Sequence, residues 1–176
     1  MFTFQNRIKR STSLLSEKGE KTKSERWRRS PELLEDAYTA WKKSDGSLNP
    51  SSVVATIDED GAPRIAPFGS MRAVNPRLLR FIAHRYHDTL ANVKRDSRIT
   101  IAMICPPDIA VSARGRARIV EEPFSLDENY ALIEIDIEEV KNDMPIRIGI
   151  DSGISISPSG PFVTWWKSLW SKMGAK

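Results

Sequence analysis

The stretch that decides the fold covers residues 53–103 and reads VVATIDEDGAPRIAPFGSMRAVNPRLLRFIAHRYHDTLANVKRDSRITIAM. It opens with a run of strand-forming residues, passes through an acidic turn that ends in Gly61, and returns in a second extended run over 62–68. Two such runs separated by a turn predict a β-hairpin. Further apolar runs predict strands over 78–83 and 99–104.

Between the last two of these strands the hydrophobic period becomes helical. Leu90 and Val93 lie about one helical turn apart, and Asp88 and Thr89 stand where a helix would begin. A strand that ends and a helix that starts within residues 84–89 should leave unpaired backbone N–H groups beside His and Arg side chains. Because helix N-termini bind anions, we predict an anion site at this strand–helix joint, residues 84–89.

Upstream of the hairpin the sequence predicts a helix and a tail. Ser30 and Pro31 have the residue types favoured at the N-cap and at the first helical position, and the helix should end at Gly46. Residues 1–29 are rich in Ser, Lys, Arg and Glu, which predicts a flexible basic extension. A basic tail can bind nucleic acid or an acidic membrane surface, but a solvated terminus without a specific partner is the commoner outcome.

Downstream of the hairpin the pattern predicts more strands. Residues 109–120 and 132–140 alternate between apolar and polar side chains, and residues 146–156 suggest a further strand broken by a glycine. A capping box at residues 125–128 predicts a short helix.

The C-terminal residues 159–176 predict an amphipathic helix. Its apolar side chains recur at intervals of three and four residues, and they are Phe162, Trp165, Trp166, Leu169, Trp170 and Met173. Docking of this stripe on the folded domain or on a partner subunit is the favoured interpretation. Weak contact with a membrane surface is left open, since Trp and Lys suit that role but one short helix binds a bilayer weakly.

The composition is that of a soluble globular chain with one domain. The 176 residues are 40% hydrophobic and 28% charged, and no stretch approaches the roughly 20 apolar residues of a membrane span. The N-terminal residues lack the pattern of a secretory signal. Because Cys105 is the single cysteine, no intrachain disulfide can form. These features predict a cytoplasmic protein.

The residues by themselves argue against several familiar kinds of site. Neither a G-x-G-x-x-G pattern nor a P-loop is present, and no nucleophile-elbow motif occurs. His84 and His87 are the two histidines, and their spacing alone does not define a metal site. What the residues support is a mostly β domain with an anion-binding joint.

Four segments match a known family pattern in order and spacing. They are residues 60–63 (DGAP), 81–89 (FIAHRYHDT), 92–98 (NVKRDSR) and 115–118 (GRAR). These segments resemble D-G-x-P, F-Y-T-N-Y-x-S-R-K, N-L-R-R-D-P-R and G-x-A-x in the FMN-binding split-barrel family of pyridoxamine 5'-phosphate oxidase. The resemblance implies a mostly β (α+β) domain over residues 30–158, a six-stranded antiparallel split β-barrel with peripheral helices.

The resemblance also implies a bound FMN and the residues that hold it. In the family one strand runs along the flavin edge, the Ser-Arg-Lys run holds the phosphate, and a glutamine in the G-x-A-x strand contacts the ring. The matching cofactor-binding residues are Ala66, Pro67, Phe68, Gly69, Ser70 and Met71 on the strand, Ala83, His84, Arg85, His87, Thr89 and Asn92 around the joint, and Arg116.

This sequence departs from the family at the phosphate run, where Asp88 and Thr89 replace two cations. A carboxylate facing a phosphate would repel it. Either Asp88 points away and caps the helix, or the phosphate is held by His84, Arg85, His87, Thr89 and backbone N–H groups.

The function implied by the resemblance is that of an FMN-dependent oxidoreductase acting on a small molecule, in a homodimer with the site between subunits. The alternative is a non-catalytic protein that binds or stores flavin, haem or deazaflavin. Pyridoxamine phosphate oxidase activity itself is not expected, because residues 162–176 contain no counterpart of the Arg-x-His pair that grips the substrate. No catalytic residue, metal or nucleic-acid partner is predicted.

Overall fold

A computed structural model describes residues 27–43, 46–144 and 147–173. In chain order the elements are β1 (Arg29–Ser30), α1 (Glu35–Lys42), β2 (Ser52–Ile57), β3 (Pro63–Phe68), β4 (Arg72–Asn75), β5 (Leu78–His84), α2 (Asp88–Arg95), β6 (Arg98–Cys105), β7 (Ile109–Glu121), β8 (Tyr130–Asn142) and α3 (Phe162–Met173). Residues 1–26, which make up most of the predicted basic extension, lie outside the described residues.

The strands form one antiparallel sheet in the order β3-β2-β6-β7-β8-β5-β4, and β1 pairs with β8 off this path. The two end strands, β3 and β4, do not pair with each other, so the sheet is open in the manner of a split barrel. The predicted mostly β, α+β class is confirmed. Besides six longer strands, the sheet contains the short strands β1 and β4, which the sequence pattern did not predict.

The core lies inside the curved sheet and under α1. Strand β2 buries every second residue, as the alternating pattern predicts. Phe81, Ile101 and Ile133 from three different strands are fully buried. Trp41 of α1 closes one end of this core, and its indole N–H donates to Ser52 Oγ at 2.7 Å. Ala37 and Trp41 of α1 are both fully buried, so this face of the helix serves packing.

The first helix begins later than the capping residues indicate. Glu35 is its first residue, and Leu34 occupies the N-cap position without a side-chain cap. Ser30 instead pairs with Val140 at the edge of β8, and the Leu33 N–H donates to Pro76 O at 2.9 Å. The predicted start at Ser30 is wrong because tertiary pairing of this segment outweighs its local capping preference.

The predicted helix at residues 125–128 does not form. The N–H of Phe124 donates to Tyr130 O at 2.8 Å, and the N–H of Tyr130 donates to Asp127 O at 3.0 Å, which closes a tight turn before β8. The Asp127 carboxylate accepts from Asn129 and from the indole of Trp165. The Ser125 N–H also donates to Glu121 Oε2 at 3.2 Å, so local hydrogen bonds hold the segment as a turn instead of a helix.

The sequence pattern also predicts a strand over residues 146–156. The structure describes residues 147–156 of this segment, and they contain no strand, so the prediction is wrong there. Its backbone is fixed by a side chain, since the Asn49 amide pairs with the N–H and C=O of Ile156 at 3.0 and 2.9 Å. Ile148 and Ile154 are exposed. The apolar alternation therefore reflects no buried sheet face.

Helix α3 docks on the sheet through its aromatic stripe. Its buried residues are Trp166, Leu169, Trp170 and Met173, which form a cluster with Ile82, Phe124 and Leu132. The indole N–H of Trp166 donates to Gly46 O at 2.9 Å. None of the helices in the described part of the chain is long and apolar enough to cross a bilayer.

The β7–β8 pairing contains one position where a side chain would collide with the backbone. A Cβ on Gly115 would overlap the carbonyl oxygen of Asp136, beside a register shift between the two strands. We expect Gly115→Ala to destabilise the fold by about 1–3 kcal/mol and to lower Tm by roughly 2–12 °C. Gly149→Ala is the matched control, because its Cβ would meet only Pro107 O at 3.9 Å. Equal melting temperatures for the two variants would contradict the packing argument.

Candidate functional site

A cavity of about 360 Å³ opens where the end of β3, the strand–helix joint, the start of β8 and the first turns of α3 come together. We call it the joint cavity. Its lining residues are Leu48, Pro67, Phe68, Gly69, Ser70, Ile82, His84, His87, Tyr130, Pro158, Ser159, Phe162, Trp165 and Trp166. A larger cavity, about 680 Å³, lies between α1 and the β6–β7 turn beside Cys105, but it contains none of the predicted cofactor-binding residues.

Six of the predicted cofactor-binding residues line the joint cavity: Pro67, Phe68, Gly69, Ser70, His84 and His87. The ring centroids of Phe68 and His87 are 5.3 Å apart. Ser70 Oγ accepts from the Ile82 N–H and donates to the Ile82 carbonyl, both at 3.3 Å. The structure thus brings the predicted flavin-edge strand and the joint to one surface.

The remaining predicted residues lie away from the cavity lining. Met71, Ala83, Thr89 and Asn92 are buried, Ala66 pairs with Val54 in the sheet, and Arg85 and Arg116 are exposed.

Asn92 ties helix α2 to strand β2. Its amide N–H groups donate to Thr56 Oγ1 at 3.0 Å and to Asp58 Oδ1 at 2.9 Å, and its Oδ1 accepts from Arg95 at 2.7 Å. The hydrogen bonds from Asn92 and Arg64 lower the pKa of Asp58. Within one chain Asn92 therefore positions α2 and does not face the cavity.

Arg116 lies on the outer face of β7. Its Nε is 3.1 Å from Glu138 Oε1, and it lines a separate cavity of about 420 Å³ together with Arg98 and Arg114. Within one chain the structure does not bring Arg116 to the joint cavity.

The backbone N–H groups of the joint are mostly paired, contrary to the expectation from the sequence. Arg85 donates to Asn129 O at 2.7 Å, and His87 donates to His84 O at 2.9 Å. Leu90 donates to His87 O at 2.9 Å. The expectation fails because β5 ends in a hydrogen-bonded turn before α2 begins. These N–H groups donate to backbone carbonyls and are not available to a ligand.

The two imidazoles accept the next two N–H groups. His84 Nδ1 accepts from Tyr86 at 3.3 Å, and His87 Nδ1 accepts from Thr89 at 3.2 Å, which makes His87 the N-cap of α2. A neutral imidazole whose Nδ1 accepts a hydrogen bond carries its proton on Nε2. Each histidine therefore keeps one N–H donor, so an anion at the joint would be bound by side chains.

Asp88 points away from the joint cavity. Its side chain is 65% exposed and lies 3.8 Å from Arg64 Nε, and it is absent from the cavity lining. Of the two arrangements considered for this residue, the structure shows the first, although the cap of α2 is His87. The carboxylate is therefore not aimed at an anion in the cavity.

An aromatic wall extends from the joint along one side of the cavity. The ring of Tyr130 lies 5.2 Å from that of His84 and 5.2 Å from that of Trp165. The indole N–H of Trp165 donates to Asp127 Oδ2 at 2.9 Å. Sequence reasoning missed Tyr130 as a site residue and assigned Trp165 to docking or membrane-surface contact, because no local motif connects α3 to the joint.

The cavity is uncharged and suits a flat ring better than a metal. None of its described lining residues is Lys, Arg, Asp or Glu. Across the described ranges no group of three or more His, Cys, Asp or Glu could hold a metal ion. Aromatic walls and two imidazole N–H donors fit a planar heterocycle that carries an anionic end.

Comparison with known proteins finds the same fold. The family model described as pyridoxamine 5'-phosphate oxidase matches residues 34–143. A crystal structure of a candidate pyridoxamine 5'-phosphate oxidase from Lactobacillus delbrueckii is 25% identical, with a TM-score of 0.53 over 63% of this chain and 94% of its own. A variant of HupZ from group A Streptococcus is 19% identical, with a TM-score of 0.50 over 61% and 97% of the two chains. No curated protein matches the sequence.

The bond between Asp127 and Trp165 predicts a pH-dependent signal. Burial raises the pKa of Asp127, but hydrogen bonds from Asn129 and Trp165 outweigh it and hold the pKa below 3.8. Because the pKa of Asp127 is lowered, its ionised carboxylate is present throughout the range above the ordinary Asp pKa. This form, which accepts from the indole, is lost as the pH falls through the lowered pKa. The part of the near-UV circular dichroism that depends on this bond, measured as the difference between wild type and Asp127→Asn, should therefore stay constant from about pH 7 to about pH 4 and change below that.

The control is Asp127→Asn, whose amide oxygen can still accept from the indole but does not titrate. It should lack the acidic transition while far-UV circular dichroism is unchanged. An identical transition in this variant would assign the signal to another group.

Proposed function

The chain belongs to the pyridoxamine 5'-phosphate oxidase family, and from this premise we propose that it is a flavoprotein that binds FMN in the joint cavity and acts as an oxidoreductase on a small molecule. The observation that carries the proposal is that six of the residues matched to the family's flavin site line one cavity. Bound FMN would supply hydride transfer, while the protein orients the ring and excludes water.

The ring would lie along the end of β3. Among the described strands it lies at one end of the sheet and pairs with β2 alone, so one row of its backbone groups has no partner among them. The outward row at the end of β3 is thus free of the sheet ladder and could bond a flavin edge, whereas Gly69 O already accepts from Lys43 Nζ at 2.9 Å. The chain also approaches closely here, since a Cβ on Gly69 would meet Ile156 Cδ1 at 2.5 Å.

The phosphate would lie at the imidazole side of the cavity. His84 and His87 each offer an Nε2–H, and hydrogen bonds to a charged acceptor are stronger than neutral ones. Arg85 is exposed beside them, with its guanidinium 4.8 Å from the ring centroid of Tyr86. This donor set takes the place of the two cations in the family's phosphate run.

A non-catalytic flavin carrier is the second candidate. It is favoured by one observation, that no acidic or basic side chain other than the two imidazoles lines the described cavity. Haem and deazaflavin remain alternative ligands for such a carrier. Turnover with NADH or NADPH and an electron acceptor separates the enzyme from the carrier. We place either function in the cytoplasm, consistent with a single cysteine.

The proposed phosphate site predicts a loss of FMN affinity when His87 is replaced. His87→Ser keeps a side-chain cap for α2 but is too short to reach the cavity. A hydrogen bond to a charged group contributes about 1.5–3 kcal/mol, so the variant should bind FMN about ten- to a hundredfold more weakly. Riboflavin, which lacks the phosphate, should bind both proteins with similar affinity.

The matched control is Lys94→Ala, which removes a cation from α2 that pairs with Glu122 and lies outside the cavity. It should bind FMN as the wild type does. If His87→Ser also retains wild-type FMN affinity, or if the wild type binds riboflavin as tightly as FMN, the phosphate is not held at the joint.

We also propose that the chain forms a homodimer that completes the site. Three exposed apolar side chains lie on elements that contribute to the joint cavity: Ile65 on β3, Tyr86 at the joint and Phe162 on α3, with exposures of 69%, 77% and 55%. We call them the apolar rim. Large exposed apolar side chains beside a cavity suit a surface that a partner covers.

Light scattering should therefore give twice the 19.9 kDa of one chain at micromolar concentration. Ile65→Asp should shift the population towards monomer, because it places a charge in the apolar rim. Val120→Asp is the control, since Val120 is exposed on β7 and lies outside the rim. A monomeric wild type would contradict a site shared between subunits.

A further inference from the structure

Helix α3 forms one wall of the joint cavity although it lies outside the segment that the family model matches. That segment is residues 34–143, whereas α3 spans Phe162–Met173. The helix nevertheless contributes Phe162, Trp165 and Trp166 to the lining. This chain therefore has a cavity wall in addition to the elements of the family domain.

We propose that α3 builds a subsite for a flat, uncharged aromatic ring, and that Trp165 is its specificity-determining residue. The proposal rests on the proposed function, because the ring would be either the flavin itself or a planar substrate that approaches it. In both cases the subsite would bind the same chemical feature of the ligand, an uncharged aromatic face.

Trp165 is held in place before any ligand arrives. Its indole N–H donates to Asp127 Oδ2 at 2.9 Å, and its ring is inclined by 39° to that of Tyr130 at 5.2 Å. Phe162 meets its edge, with centroids 6.3 Å apart at 89°. A side chain fixed in this way loses little conformational entropy when a ligand stacks on it. Asp127 is accordingly a positioning residue that acts through Trp165.

The lining decides the charge of the ligand. A charged group placed against α3 would be desolvated without a partner, because no described lining residue carries a carboxylate, ammonium or guanidinium group. Asp127 lies behind the wall, and its carboxylate already accepts from Asn129 and Trp165. Polar ends of a ligand are therefore directed to the imidazoles of His84 and His87, and the α3 side accepts only apolar surface.

The orientations of the aromatic rings determine which ligand shape the subsite accepts. Trp165 and Trp166 are inclined by 45° with centroids 6.5 Å apart, and Tyr130 meets His84 edge to face at 85°. Faces and edges thus alternate around a cavity of about 360 Å³. Offset and edge-to-face contacts are the arrangements that aromatic rings prefer, so a planar ring makes more contact here than a branched aliphatic group.

The test uses the full-length protein and three probes. FMN and lumiflavin share the flavin ring, but only FMN carries the phosphate, and menadione is a flat uncharged quinone without a flavin. FMN and lumiflavin are titrated into the apo-protein, and menadione is titrated into both the apo-protein and the FMN-loaded protein. The variants are Trp165→Ala, Trp165→Phe and Phe162→Ala. Thr164→Ala is the control, an exposed α3 neighbour outside the lining.

We expect Trp165→Ala to lower the affinity for the ring ligand about three- to tenfold, which is the loss expected for one aromatic contact. Trp165→Phe should restore most of it, and Thr164→Ala should have no effect. If the bound ring is that of the flavin, the affinities for FMN and for lumiflavin fall by the same factor. If it is that of a substrate, flavin affinity is unchanged and menadione affinity falls.

The positioning role of Asp127 is tested in the same titrations. Asp127→Ala should weaken the same probe as Trp165→Ala, and the double variant should show no further loss, because the two residues act as one unit. Asp127→Asn, which keeps an acceptor for the indole, should bind as the wild type does. Additive losses in the double variant would overturn the positioning role.

The subsite is overturned if Trp165→Ala and Phe162→Ala bind all three probes as the wild type does. Phe162 is 55% exposed, so its variant tests the wall even if Trp165→Ala does not fold. A Trp165-dependent affinity for menadione in an apo-protein that binds no flavin would refute the proposed FMN function and leave the subsite intact. A wild type that binds none of the probes refutes both.

Discussion

The pairing of β8 along both of its edges is the constraint on which the rest of the structure depends. One edge pairs with β7 over nearly the whole strand, and the other pairs first with β5 and then with β1. Residues 131–135 are buried in succession, so this part of β8 has covered surface on both faces. The register with β5 places Tyr130 opposite His84. The aromatic wall and the joint therefore meet because two strands that are distant in sequence share one ladder.

The same register also sets the position of α3. Arg80 on β5 lies opposite Glu134 on β8, and the two side chains form a buried ion pair. Buried charges need such partners. Arg80 also donates to the carbonyl oxygen of Met173 at 3.0 Å, and Arg72 lies over the ring of Trp170 at 5.0 Å. These contacts fix the C-terminal turn of α3, and its first turns then extend over the joint cavity.

The arginines of β7 form ion pairs across the outer face of the sheet. Arg114, Arg116 and Arg118 lie on the outer face and pair with carboxylates of β8. The exposed pairs among them contribute little stability individually, whereas Arg118 also contacts the buried Glu134. They do neutralise the basic stripe, so the folded domain presents alternating charges there. The cationic residues that the family pattern places at its cofactor are thus absent from this cavity within one chain, and two imidazoles stand at its polar side.

The sequence by itself determined the elements that depend on local patterns. The hairpin before and after Gly61, the start of α2 after His87 and the aromatic stripe of α3 all follow from periodicity and end residues within a few positions. Only the tertiary structure decided which elements meet and which local signals are overridden. Ser30 pairs with β8 instead of capping a helix, and Asp127, within the segment predicted as a short helix, accepts from the indole of Trp165. The physical reason is that a polar group forms its hydrogen bonds with the partners that lie next to it in the folded chain. For these groups the partners are distant in sequence.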